Sequence, residues 1–117
     1  MGVFQIKLEI GDPQGERYET VSALVDSGAS YTTLPESLLK ELGVKPHETR
    51  NFITADDRRI QRDFGQTWIK IDGRRSVSPV VFGEDNAMPL LGAITLEIFA
   101  LGIDPVRGRL IEVDSYA

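Results

Sequence analysis

The sequence predicts a mostly β domain carrying two short helices. Apolar and polar residues alternate with period two from the first strand onward. Glycine, proline and aspartate punctuate the chain at short intervals, and only two stretches show helical spacing. At 117 residues the chain makes one domain, 1–117, since it is too short for two independent cores.

Phe4, Ile6, Leu8 and Ile10 alternate with Gln5, Lys7 and Glu9, which reads as a half-buried strand. The turn-rich "GDPQGE" then implies a hairpin into "RYETVSALVD". After "SGASYTTL" comes a short helix, "PESLLKELG". Pro35 suits its first turn, Glu36 its positive end and Gly43 its stop, and Leu38, Leu39 and Leu42 form its apolar face.

From Thr49 to Phe82 the chain reads as strand again. One hairpin turns at Ala55-Asp56-Asp57-Arg58 and another at Asp72-Gly73. Pro79 argues against a central place for its strand. "GEDNAMP" is a loop, and "LLGA" a short buried piece. "TLEIFALG" is the second helix, with Thr95 as N-cap and Gly102 as stop. "DPVRG" turns the chain into a last strand, "RLIEV". One internal echo is visible: Leu24-Val25 and Leu90-Leu91 each lead through a Gly-Ala into a helix, but an acid accompanies only the first.

Composition narrows the function. The net charge of −5, with no basic run, disfavours a nucleic-acid or anionic-membrane partner. There are no cysteines, which excludes disulfides, thiolate metal sites and cysteine nucleophiles and fits a reducing compartment. The opening residues alternate and so lack a signal-peptide or membrane-span core; the expected address is cytoplasmic. His47 is the single histidine and lies in a loop, so no metal site is expected. Ser27 has no sequence-close histidine base and is not read as a serine nucleophile. Trp68, Ile69 and Ile71 read as packing residues. Arg58, Arg59, Arg62, Arg74 and Arg75 read as solvated faces or turns, and Asp12 and Asp104 as turns.

The stretch "ALVDSGAS" carries the chemistry. Asp26 follows two apolar strand residues and precedes Ser27, Gly28 and the apolar Ala29. On one reading it is a solvated turn residue. On the other the turn lies inside the domain, where an unpaired carboxylate is costly and must find donors or a proton-sharing partner. Two carboxylates about 3 Å apart hold one proton between them, so that one acts as base on water and the other as acid toward a carbonyl oxygen. The chain offers this motif once. A symmetric dimer with Asp26 on its axis supplies the second acid.

"ALVDSGASYTTLPESLLKELG" and "PLLGAITLEIFALGIDPVRGRLIEV", with the strand-rich middle, resemble the single-domain retropepsin-like aspartic proteases, particularly the prokaryotic members, from about Leu8 to Val113. The resemblance implies a closed β-barrel-type fold, an obligate homodimer and an extended peptide held between subunits, with no cofactor. It carries over Asp26 as catalytic acid with Ser27 and Gly28 as its supporting turn. Ala29, together with Leu90, Leu91 and Gly92, then falls at the substrate groove. Ala55, Asp56, Asp57 and Arg58 fall where the family has its flap, a lid over bound substrate; otherwise they form an exposed charged hairpin.

The chain departs from the pattern at three places. Ser30 and Ala93 stand where retroviral relatives pair an acid with an arginine, and the flap tip is charged rather than glycine-rich. Two readings follow. One is an aspartic endopeptidase active as a homodimer. The other is a non-catalytic dimerisation or peptide-binding module of the same fold.

Overall fold

The computed structural model describes residues 4–115 and 117; residues 1–3 and 116 of the expected domain lie outside the described residues. Among the described residues, nine strands and two helices follow in order: β1 Gln5–Gly11, β2 Tyr18–Val25, β3 Thr32–Pro35, α1 Glu36–Glu41, β4 Glu48–Ile53, β5 Arg59–Ile71, β6 Arg74–Gly83, β7 Leu90–Leu91, α2 Ala93–Ile98, β8 Leu101–Asp104 and β9 Arg109–Glu112.

The main sheet runs β1-β2-β7-β3-β6-β5-β4, and β1 also pairs with β5 through Glu9–Lys70 and Ile10–Ile69. That last pairing closes the sheet on itself and leaves β4 as an outward extension of β5. The expected closed barrel is therefore present. Closure removes the free edges that β1 and β5 would otherwise expose. A separate two-stranded sheet, β8 with β9, stands beside it.

Alternation fills the barrel. Leu8 and Ile10 of β1, Val25 of β2, Leu34 of β3, Ile69 and Ile71 of β5, Val80 and Phe82 of β6 and Leu91 of β7 are nearly all fully buried. Leu39 and Leu42 close the core from α1, and Leu96 and Phe99 from α2. Turn chemistry is local. Asp12 accepts the Glu16 and Arg17 N–H groups at 2.8 and 3.2 Å, which shapes the β1–β2 turn. Asp72 and Gly73 take φ of 51° and 79°, the left-handed pair that a tight two-residue hairpin requires.

Five sequence expectations are revised. Pro79 sits in β6, an internal strand, because the β3 ladder begins only at Thr32–Val80. On the β3 side, Pro79 lies before that ladder starts, so its missing N–H breaks no bond there. Pro35 ends β3 and precedes α1 instead of forming its first turn. The second helix starts earlier than expected, with Gly92 as N-cap and Thr95 inside it and fully buried. It ends at Phe99 and Ala100, the latter at φ 54°, so Gly102 is not its stop and lies in β8. Arg74 and Arg75 are also not simply solvated: they donate to the Phe99 and Gly15 carbonyls at 2.8 and 2.9 Å.

Candidate active site

The two echoing segments are hydrogen-bonded neighbours. Leu24 lies beside Leu90 and Val25 beside Leu91 in a parallel ladder at the heart of the barrel. Beyond the end of that ladder the chain turns at Asp26, Ser27 and Gly28 before entering β3. Apolar residues at Val25 and Leu91 anchor the strands, so the acid emerges at the strand end with little freedom.

Backbone bonds hold the turn. The Asp26 N–H donates to the Leu91 carbonyl at 3.0 Å, and Ala29 N–H to the Asp26 carbonyl at 3.2 Å. From the other side, Ala93 and Ile94 donate to the Ala29 and Ser30 carbonyls at 2.8 and 2.9 Å. These main-chain bonds stand where the retroviral pattern has its acid–arginine pair at Ser30 and Ala93. Gly92 lies so close to β3 that a Cβ there would meet the Tyr31 carbonyl carbon at 2.5 Å and the Thr32 nitrogen at 2.9 Å. Only glycine fits this approach.

Asp26 as a residue is half-buried, and its Oδ1 accepts the Gly28 N–H at 2.9 Å. A Cβ on Gly28 would meet that same oxygen at 3.2 Å. The turn thus aims the carboxylate and leaves Oδ2 outside this bond. Ser27 and Gly28 are exposed and Ala29 is half-buried. Of the downstream trio, Leu90 is half-buried while Leu91 and Gly92 are buried; Leu91 meets Asp26 through its carbonyl, and the Gly92 N–H is directed to Thr32.

The Ala55–Arg58 hairpin tip is built as expected and is exposed. Thr54 anchors it, donating to Asp56 and accepting the Arg58 N–H at 3.1 Å. Asp57 takes φ 65° at the tip. The Thr54 hydroxyl and then the Arg58 guanidinium hold the Asp56 carboxyl below the usual carboxylate range.

An aromatic cluster that sequence reading missed ties this hairpin to the Asp26 turn. Tyr31 meets Phe52 of β4 and Phe64 of β5 edge-on, with ring centroids 6.0 and 5.1 Å apart. Arg50 of β4 lies 4.0 Å over the Phe64 ring and donates to the Tyr31 hydroxyl at 3.2 Å. Glu48, accepting from Arg50 at 2.7 Å, raises the arginine's already high pKa. The available signal was Tyr31 itself, an aromatic five residues after the acid and opposite Arg50 and Phe52 in the next hairpin.

A cavity of about 730 Å³ opens beside Ser27, lined on its apolar side by Leu96, Leu101, Ile103 and Val113. Among the described residues no group of three or more His, Cys, Asp or Glu side chains is placed to hold a metal. No helix among them is long and apolar enough to cross a membrane.

Residues 6–94, well over half of the chain, match the family model described as aspartyl protease. The chain belongs to the aspartyl protease family. Its fold is retropepsin-like. The solution structure of Simian Foamy Virus (mac) protease matches with a TM-score of 0.58 and 24% identity, covering 82% of this chain and 94% of the viral one. No curated protein matches. In this family member the matched segment takes in Asp26, its turn, the β4–β5 hairpin and the Leu90–Gly92 element.

Proposed function

We propose that this aspartyl protease family member is an endopeptidase that acts as a homodimer, each subunit contributing one Asp26. The observation that carries the reading is the pinned Asp26 carboxylate, bonded through Oδ1 to Gly28 on a turn backed by Leu91, Ala93 and Ile94. One such acid is half of a general acid–base pair.

A second copy fits the surface next to it. The cavity at Ser27 has an apolar side of Leu96, Leu101, Ile103 and Val113 facing a polar one that includes Glu97 and Asp114, and Ile98, Ile111 and Val113 are exposed at 41%, 38% and 43% in the single chain. Apolar surface of this kind beside a site favours burial against another chain. With two subunits docked there, the paired carboxylates share one proton.

The chemistry then runs without a cofactor. The ionised Asp26 takes a proton from water as the water oxygen bonds to the scissile carbonyl carbon. The protonated Asp26 of the second subunit gives its proton to the carbonyl oxygen, forming a neutral tetrahedral diol. Collapse of the diol breaks the C–N bond, with a carboxylate proton passing to the leaving nitrogen and a hydroxyl proton returning to the pair. Ser27 and Gly28 hold the acid, and Ala29 and Leu90 border the groove. The Ala55–Arg58 tip covers an extended peptide, steadied through Phe52 and Arg50 on Tyr31.

Asp26→Asn tests the assignment. The variant is expected to fold and dimerise like the parent and to lose cleavage of casein and of a peptide library across acidic to neutral pH. Retained cleavage would overturn it.

A further inference from the structure

Three hydroxyls lie in the core beneath the Asp26 turn, and each is fully buried: Thr32 of β3, Ser78 of β6 and Thr95 of α2. The Gly92 N–H donates to Thr32 Oγ1 at 3.0 Å. Thr32 Oγ1 lies 2.5 Å from Thr95 Oγ1, which lies 2.8 Å from Ser78 Oγ. Ser78 Oγ in turn donates to the Pro79 carbonyl at 3.1 Å.

The ends of this chain fix its direction. A peptide nitrogen can only donate and a carbonyl can only accept, while each hydroxyl has one proton to give. Ser78 spends its proton on Pro79, so Thr95 donates to Ser78 and Thr32 donates to Thr95. All four bonds are made in one arrangement only. Among the described residues no buried side-chain nitrogen or oxygen lacks a partner. Such a line of bonds in a low-dielectric core is mutually reinforcing.

Its upper end is the peptide that positions the acid. Gly92 lies between Leu91, whose carbonyl accepts from Asp26, and Ala93, whose N–H donates to Ala29. Its lower end is β6, held on both sides by β3 and β5. We infer that Thr95 is a positioning residue: through Thr32 it locks the Leu91–Ala93 segment, and with it the Asp26 turn, to the rigid strand β6. This rests on the reading of Asp26 as catalytic acid only for its kinetic consequence.

The test compares Thr95→Val with Thr95→Ser by amide exchange and by steady-state kinetics. Valine keeps the shape and removes the central link; serine restores the hydroxyl. In Thr95→Val, exchange at Gly92, Asp26, Ala93 and Ile94 is expected to accelerate at least about tenfold more than at Ile69 in β5, and Thr95→Ser to reverse it. In the same variant kcat falls by roughly tenfold or more with KM within about twofold, since the groove persists while the acid loses its aim.

Exchange that rises equally at Ile69 and at these four amides, or does not rise, overturns the inference. Selective exchange in a parent protein that cleaves nothing supports the lock and counts against the protease reading instead. Should Thr95→Val fail to fold, Ser78→Ala removes the lower link and is expected to show the same selective pattern, with a uniform change again overturning it.

Discussion

The Asp26 N–H donates to the carbonyl of Leu91 at 3.0 Å, joining residues that stand 65 positions apart in the sequence (91 minus 26). The bond continues the parallel ladder of Leu24–Leu90 and Val25–Leu91 by one step past its last pair. It explains how a carboxylate leaves the apolar ends of two strands, Leu24-Val25 and Leu90-Leu91, in a fixed direction. Position comes from main-chain bonds, to which the carboxylate adds one of its own from the Gly28 N–H.

Gly92 is the point at which this arrangement is tightest. Gly92→Ala places a methyl 2.5 Å from the Tyr31 carbonyl carbon, and backbone cannot swing aside as a flexible side chain would. The substitution is expected to destabilise the fold by about 1–3 kcal/mol, as overpacking of a filled interior does. Urea unfolding at unchanged m-value measures it. A midpoint equal to that of the parent would show that β3 and α2 separate easily, contrary to the geometry.

The flap tip carries a pH dependence of its own. Asp56 is held below the ordinary carboxylate range, first by the Thr54 hydroxyl and then by Arg58. A depressed folded value means the turn's contribution is present above the unfolded pKa and is lost as pH falls through the folded one. Carboxyl NMR titration should therefore find Asp56 still ionised where free aspartate is half-protonated. Thr54→Val and Arg58→Met should each raise its midpoint. A midpoint unmoved by both variants contradicts the account of the tip.

Much of this architecture was legible in the residues. Period-two alternation at Phe4–Ile10 placed β1, and Asp72-Gly73 gave its hairpin because only left-handed backbone fits that turn. The Asp-Ser-Gly triplet between apolar residues marked the acid, and Leu90-Leu91-Gly92 marked its neighbour. What was not legible depends on contacts between distant segments. Thr95 has the chemistry of an N-cap, yet the close approach of Gly92 to Tyr31 starts α2 sooner and turns the hydroxyl inward to Thr32 and Ser78. Ala100 ends α2 with a left-handed backbone that its type gives no hint of. Tyr31 and Arg50 look unrelated until β4 folds over β3's entry. Pro79 misled because a strand's neighbours, not its composition, decide where a missing N–H is harmless.

The central claim is that one catalytic centre needs the acid of two chains, and subunit mixing tests it most directly. Parent and Asp26→Asn chains are combined at constant total concentration, allowed to exchange, and assayed against one peptide. If both carboxylates are required, activity follows the square of the parent fraction, about one quarter at an equal mixture. Activity that falls in simple proportion, about one half at an equal mixture, would mean each chain works alone and would contradict the account.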